Sequence, residues 1–366
     1  MFTSSLSYAL KVTLLLLLSA STCASTAAIS ALVSEGLAPE HKANNNFEGI
    51  WTTSTGLTAN GQELLQAINN LDHYGLSPNA FPKNLNELTD AASGTEELEH
   101  QFNRVFERLS QALSQGQTSP TEQSEWSIEQ EAVSTGALFA LLRNETKLSE
   151  ILANLTPTSK QHQQLLSALQ KYLFLPSNRR RTSLAGSDRV LKRGDRHPDV
   201  AQLRDRLRVE GDYQGQMQAD PLFFGPSLSL ALQQFQSRHG LINDGSLDVQ
   251  TRRAMRVPLV KRIQQLIVNL ERWRWLPREL GERHLLVNTA GGYASLIENN
   301  TRKLTVRTIA GRPYRATPSL SSSVTRLVVN PRWGVPHRIA VEDLFAMQQV
   351  DNQFSSNQGS RVVSSR

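Results

Sequence analysis

Cysteine is almost absent: Cys23 is the only one in 366 residues. That excludes an internal disulfide framework and a cysteine-ligated metal cluster. Aromatic residues make up 6% of the chain and methionine contributes four residues, so the apolar interior has to come mainly from Leu, Val, Ile and Ala. Long apolar runs are missing as well. The longest, from Val12 to about Ala20, falls short of the ~20 residues that a membrane-spanning helix needs. The signatures of several hydrolytic chemistries are lacking too. The eight His are scattered, with no His-Glu-x-x-His pair to grip zinc, and no Gly-x-Ser-x-Gly elbow presents a serine. Glu282 or Glu298 can be set against Asp343 as a glycosidase pair, but no spacing in a sequence fixes a carboxylate separation.

What is present suits a multidomain globular protein. With 39% apolar and 20% charged residues, the chain can bury real cores, and its length implies two or three domains. Residues 1–28 have one basic residue, Lys11, then the apolar run, then small residues, which is the layout of a secretory signal peptide. Cleavage after Ala24 or Ala28 removes Cys23. The alternatives are lipidation at Cys23, whose preceding Ala20-Ser21-Thr22 lacks the usual Leu, and retention as an uncleaved anchor. Lys and Arg number 39 against 33 Asp and Glu, a net charge of +6. A basic exported chain suits an anionic cell envelope. Nucleic acid is not favoured as a partner, because Arg179-Arg180-Arg181 sits among Pro, Ser, Asn and Thr and reads as a solvated linker rather than a recognition stripe.

Apolar periodicity divides the rest. Leu64, Leu65, Ile68 and Leu71 predict an amphipathic helix over 61–71, closed by Gly75 and Pro78. Leu98, Phe102, Val105, Phe106, Leu109 and Leu113 repeat the pattern up to Gly116, and further helix is expected over 132–143, 148–155 and 161–173. Beyond the linker, helices are expected over 198–209 and 226–239, with turns at Gly211-Asp212 and Asn243-Asp244-Gly245. Val200, Leu203, Leu207, Leu232 and Phe235 read as core. A helix over 258–275 carries the stripe Ile263, Leu266, Ile267 and Leu270. At its end Trp273 and Trp275 pack against a neighbouring domain or, alternatively, stack on a glycan. Short strands are then expected over 285–287, 293–297, 303–309 and 326–329.

Three groups of residues carry a family resemblance. Gly194-Asp195, Val200-x-x-Leu203-x-x-x-Leu207, Ala231-Leu232-x-x-Phe235-Gln236, Gly240-Leu241, Asp244-Gly245 and Thr251-x-x-x-Met255 resemble, in register, a small three-helix peptidoglycan-binding module. Gly311-Arg312-Pro313, Thr317-Pro318 and Asn330-Pro331-Arg332-Trp333-Gly334-Val335-Pro336 resemble the segment that precedes the active site in YkuD-type L,D-transpeptidases. His73 to Pro78 (HYGLSP) is similar to an HGLDP-type sequence in the scaffold region of the large, YcbB-like Gram-negative members.

The resemblance implies an α+β multidomain protein. After the signal peptide (1–28) come a mostly helical scaffold (45–178), a peptidoglycan-binding module (186–256), a connecting helix (257–282) and the N-terminal part of a β-rich transpeptidase domain (283–366). It implies a periplasmic protein, free of cofactor, with peptidoglycan as partner and other cell-wall synthases as further candidates. The implied reaction is attack by a Cys thiolate on the third residue of a tetrapeptide stem, release of D-alanine and acyl transfer to an amine of a neighbouring stem. The family's HG-type segment and its SHGC-type segment lie downstream of these motifs, and neither stands in this sequence. The chain is therefore expected to stop inside the catalytic domain, with the nucleophile beyond Arg366 and no catalytic residue to assign. Trp333, Pro336 and His337 are the substrate-contact candidates, with His337 read as a site-wall or structural residue in a loop-like stretch. The second reading is a non-catalytic peptidoglycan-binding envelope protein.

Overall fold

A computed structural model describes residues 49–53, 55–82, 95–120, 126–130, 132–180, 184, 186, 188–215, 220–311, 315–330, 334–357 and 359. The signal-peptide reading, Cys23, Arg312, Pro313 and Trp333 lie outside the described residues. The protein is mostly helical with small antiparallel sheets, and it falls into two units, one running to Leu320 and one from Ser321.

The first unit opens on Trp51, whose side chain is fully buried. Two-residue strands β1 (Thr52–Thr53) and β2 (Gly56–Leu57) pair antiparallel behind it. Helix α1 (Ala59–Asn69) starts at Thr58, whose hydroxyl accepts from the Gly61 amide at 3.1 Å, satisfying one of the free first-turn donors. It buries Leu64, Ala67 and Ile68. Helix α2 (Thr95–Gln115) supplies the long wall of this core with Phe102, Val105, Phe106, Leu109 and Leu113. Helices α3 (Thr135–Arg143) and α4 (Leu148–Leu155) close it. One polar device inside was not evident from the sequence. The buried Glu99 carboxylate accepts from the Trp51 amide at 3.2 Å and the Thr52 hydroxyl at 2.8 Å, and Trp51 Nε1 donates to Asn103 Oδ1 at 2.7 Å. These bonds fasten the entering chain to α2.

Helix α5 (Lys160–Leu173) packs lengthwise on α9 (Leu259–Arg274), and Leu169, Tyr172, Leu259, Ile263 and Leu270 form one buried cluster between them. The helix expected as a connector is thus a structural partner of the helical region. Its C-terminal end is pinned there. Glu271 accepts from the Gln117 and Thr118 amides at 2.6 and 2.8 Å, and Trp275 donates to the Thr118 carbonyl at 3.1 Å while meeting Trp126 edge-on at 5.4 Å. Trp275 is buried, which answers the choice between packing and glycan stacking in favour of packing for this residue.

Within HYGLSP, Gly75 explains its own presence. Its φ is +70°, and a Cβ there would lie 2.9 Å from Leu270 Cδ1 and 3.2 Å from Leu169 Cδ2, in the α5–α9 seam. Left-handed backbone strain and overpacking act together at this position. Gly75→Ala is expected to lower stability by about 1–3 kcal/mol, read as a shift in the urea midpoint. An unchanged midpoint would remove this account of the motif.

Strands β3 (Arg283–Asn288), β4 (Tyr293–Glu298) and β5 (Thr301–Arg307) form an antiparallel sheet in that order. Asn299 and Asn300 both have positive φ, as a two-residue hairpin matched to strand twist requires. Leu285, Leu296 and Leu304 are cross-strand partners, as are Val287, Ala294 and Val306, so one face carries an apolar patch that ends at the Arg283–Glu298 ion pair, 3.0 Å. The strand expected over 303–309 ends at Arg307, and Ile309 is exposed. The strand expected over 326–329 does not form, and Leu327, Val328 and Val329 are exposed. β-propensity is only realised against a hydrogen-bonding neighbour, and these residues have no ladder partner among those described.

In the second unit, Pro336 stands at the N-cap of a helical turn, His337–Ile339, that runs through a π-helical stretch (Ala340–Leu344) into a helix over Phe345–Val350. The loop-like reading of His337 is corrected accordingly. Pro336 supplies the fixed φ that a helix start tolerates, and the Ala340 amide donates to its carbonyl at 2.9 Å.

Candidate functional site

The three-helix module is built from α6 (Asp199–Glu210), α7 (Pro226–Arg238) and α8 (Val249–Met255). Every apolar position expected as core is buried: Val200, Leu203, Leu207, Leu232 and Phe235 join Leu191, Phe224, Leu228, Leu247 and Met255 in one cluster. Helices this short cannot stand alone, so the loops between them are stapled. Leu191 and Leu247 exchange both backbone hydrogen bonds, at 3.3 and 2.7 Å. Arg204 donates to the carbonyls of Pro221 and Phe223 at 2.6 and 2.9 Å.

Gln236 is the hub of the turn before α8. Its Oε1 accepts from the Gly245 amide at 2.8 Å, and its Nε2 donates to the Ser246 carbonyl at 2.9 Å and reaches Asp244 and Thr251. Asp248 then caps α8, accepting from the Thr251 amide at 2.7 Å. Arg252 bridges the first and last helices through Asp199 at 2.9 Å and holds the Arg189 carbonyl. The sequence motifs Phe235-Gln236, Asp244-Gly245 and Thr251 are therefore parts of a single polar knot that shapes the module.

A second network ties the module to α5. Glu210 accepts from Arg206 Nε at 2.6 Å and from Arg238, with Asp212 also bonded to Arg238 at 2.6 Å. Tyr172 Oη lies 3.4 Å from the same carboxylate, and Lys171 Nζ donates to the Glu210 carbonyl at 2.7 Å. Burial alone would raise the Glu210 carboxyl, but the Arg206 and Arg238 guanidiniums outweigh it and hold it below its ordinary value. Burial, and then the Glu210 charge, push the Tyr172 phenol up. Sequence reasoning missed this network. The Arg206–Glu210 spacing on one helix was a legible sign of it, whereas Arg238 and Tyr172 were not.

The residues of the transpeptidase-like segment are placed only in part. Gly311 donates its amide to Thr317 Oγ1 at 2.7 Å, and a Cβ at 311 would come within 2.0 Å of the Arg315 carbonyl. Glycine at 311 is thus required by close backbone approach. Pro336 and His337 are adjacent and exposed, and Trp333 is outside the described residues, so the three are not seen to converge.

Comparison with known families places these features. Residues 43–169 match the family model "Scaffold domain", and residues 196–255 match "Putative peptidoglycan binding domain". No curated protein matches the chain. The second match spans the knot around Gln236 and both helices that flank it, and the first spans the core around Trp51 and α2. The two matches fit part of the architecture of the large L,D-transpeptidases and mark the chain as a cell-wall-associated protein with peptidoglycan as its partner.

Proposed function

We propose that the protein is an exported, periplasmic member of the L,D-transpeptidase group that engages peptidoglycan through residues 191–255. The observation that carries this reading is the intact, densely bonded module at 196–255 following a scaffold match at 43–169. The transpeptidase assignment itself rests on Gly311-Arg312-Pro313, Thr317-Pro318 and the run from Asn330 to Pro336. Trp333, Pro336 and His337 are its substrate-contact candidates. Residues 1–28 would direct export.

Acyl transfer of this kind needs a thiolate with a base to take its proton. Cys23 is the only cysteine in these 366 residues, so this polypeptide is expected to bind the wall without transferring acyl groups. A non-catalytic wall-binding protein is the second reading; it shares the module at 196–255 and calls for no thiol.

Co-sedimentation of the full chain with purified sacculi tests the shared part of both readings: the chain is expected in the pellet, and recovery in the supernatant would overturn it. Incubation with soluble tetrapeptide muropeptides, followed by mass spectrometry, is expected to show no loss of D-alanine. Turnover by this chain would refute the requirement for a further cysteine.

A further inference from the structure

Where the end of α7 meets α5 and α9, the surface folds into a cavity of about 200 Å³. Its wall combines Tyr172 of α5, Arg238 and His239 at the end of α7, and Arg262, Gln265 and Asn269 of α9, over an apolar floor that includes Leu266. The charges around it do not balance. Arg206 and Arg238 are paired with Glu210 and Asp212. Arg262 is half-buried and, among the described residues, donates to the neutral acceptors Gln265 Oε1 at 3.0 Å and the Ala254 carbonyl at 3.1 Å, while the Glu210 charge acts on it from beyond ion-pair distance. A partly desolvated guanidinium without a carboxylate in contact is costly, and an incoming anion would relieve that cost.

The other polar groups indicate what accompanies the anion. His239 Nδ1 lies 2.9 Å from the Phe235 carbonyl and must carry the proton to bond it. Its Nε2 is then an acceptor, suited to a peptide N–H. Burial keeps this imidazole below its ordinary pKa, so it stays neutral. The amides of Gln265 and Asn269, both on exposed positions of α9, keep donor and acceptor capacity beyond the bonds they already make, Gln265 Oε1 accepting from Arg262 at 3.0 Å and Asn269 Nδ2 donating to the Gln265 carbonyl at 2.7 Å. The volume sets the size. Pockets that enclose a whole drug-sized ligand run to roughly 300–1,000 Å³, so this one takes the end of a chain and not a disaccharide.

We propose that this cavity binds the C-terminal carboxylate of a peptidoglycan stem peptide, with Arg262 as the partner of the carboxylate. The stem as source of that peptide rests on the wall-binding reading above; the carboxylate chemistry rests on the cavity alone.

The test is titration of the full chain with a soluble tetrapeptide stem and with the same peptide amidated at its C-terminus. The free acid is expected to bind at least about tenfold more tightly than the amide, as the loss of a charged hydrogen-bonded pair implies. Gln265→Glu, an isosteric change at an exposed position, places a carboxylate beside Arg262. It is expected to weaken the acid about tenfold with an unchanged melting temperature, and Arg262→Gln to abolish the difference between acid and amide. Equal binding of acid and amide, or no detectable binding up to about 10 mM, by a chain that still sediments with sacculi overturns this site and leaves the wall-binding reading standing. Peptide binding with these signatures by a chain that does not sediment would uphold the site and remove that reading. Failure of both assays overturns both.

Discussion

Glu210→Gln is expected to lower stability by about 3–5 kcal/mol, the cost typical of breaking one side of a buried ion pair. Glu210 is 3% exposed and Arg206 is 1% exposed, so Arg206 would be left as a buried guanidinium with its carboxylate partner gone. Arg238 would retain Asp212, and the link from Tyr172 of α5 would be weakened. The loss therefore reaches beyond the module into the α5–α9 seam. The pH dependence has a definite sign. A carboxyl held below its ordinary value in the folded state contributes stability that is present above its unfolded pKa, and this is lost as pH falls through the lower folded value. Urea denaturation at pH 7 should show the full difference between parent and variant, and the difference should shrink in strong acid. Adding Arg206→Met to the variant should recover part of the loss by removing a buried charge that has lost the Glu210 carboxylate. A single-variant loss below about 1 kcal/mol would mean that the network is no stronger than a surface pair.

Acid should destabilise the helical region through His162. This residue is 2% exposed, and its Nε2 has no hydrogen-bond partner among the described residues. Burial first, and the neighbouring Arg274 charge second, push the imidazole down from 6.5 to about 4. The unfolded chain therefore takes up the proton first. Stability from this group is whole above pH 6.5, falls as pH drops from 6.5 to about 4, and levels off below that. The gap corresponds to about 3 kcal/mol. His162→Leu keeps the site apolar and removes both the proton site and the unpartnered nitrogen. Its stability curve should be flatter than the parent's between pH 6.5 and 4. Parallel curves for the two proteins would show that His162 is not the group that titrates.

Much of the secondary structure was legible because it is local. The apolar spacing over 148–155 and 226–239 predicts helices that end within a residue of those observed, since a helix closes its hydrogen bonds four residues away. The peptidoglycan-binding module was legible for a related reason: its motif residues Gln236, Asp244, Gly245 and Thr251 lie within 16 positions of one another and bond together. Strand 326–329 was misread because a strand closes its bonds with a partner that composition does not reveal. His337 was misread as loop although the preceding Pro336 was itself a start signal.

The sequence by itself determined the class of chain: a basic protein with one cysteine in 366 residues, amphipathic helices and a three-helix peptidoglycan-binding module. Tertiary structure alone decided that α9 pairs with α5, that Trp275 packs against Trp126, that Gly75 sits in the seam, and that Arg262, beside a cavity, has no carboxylate within ion-pair distance among the described residues. The reason is range. Periodicity records which face of an element is buried, but Tyr172, Glu210, Arg238 and Arg262 come from four separate stretches of chain, and only the packing of α5, α6, α7 and α9 sets which of their charges meet.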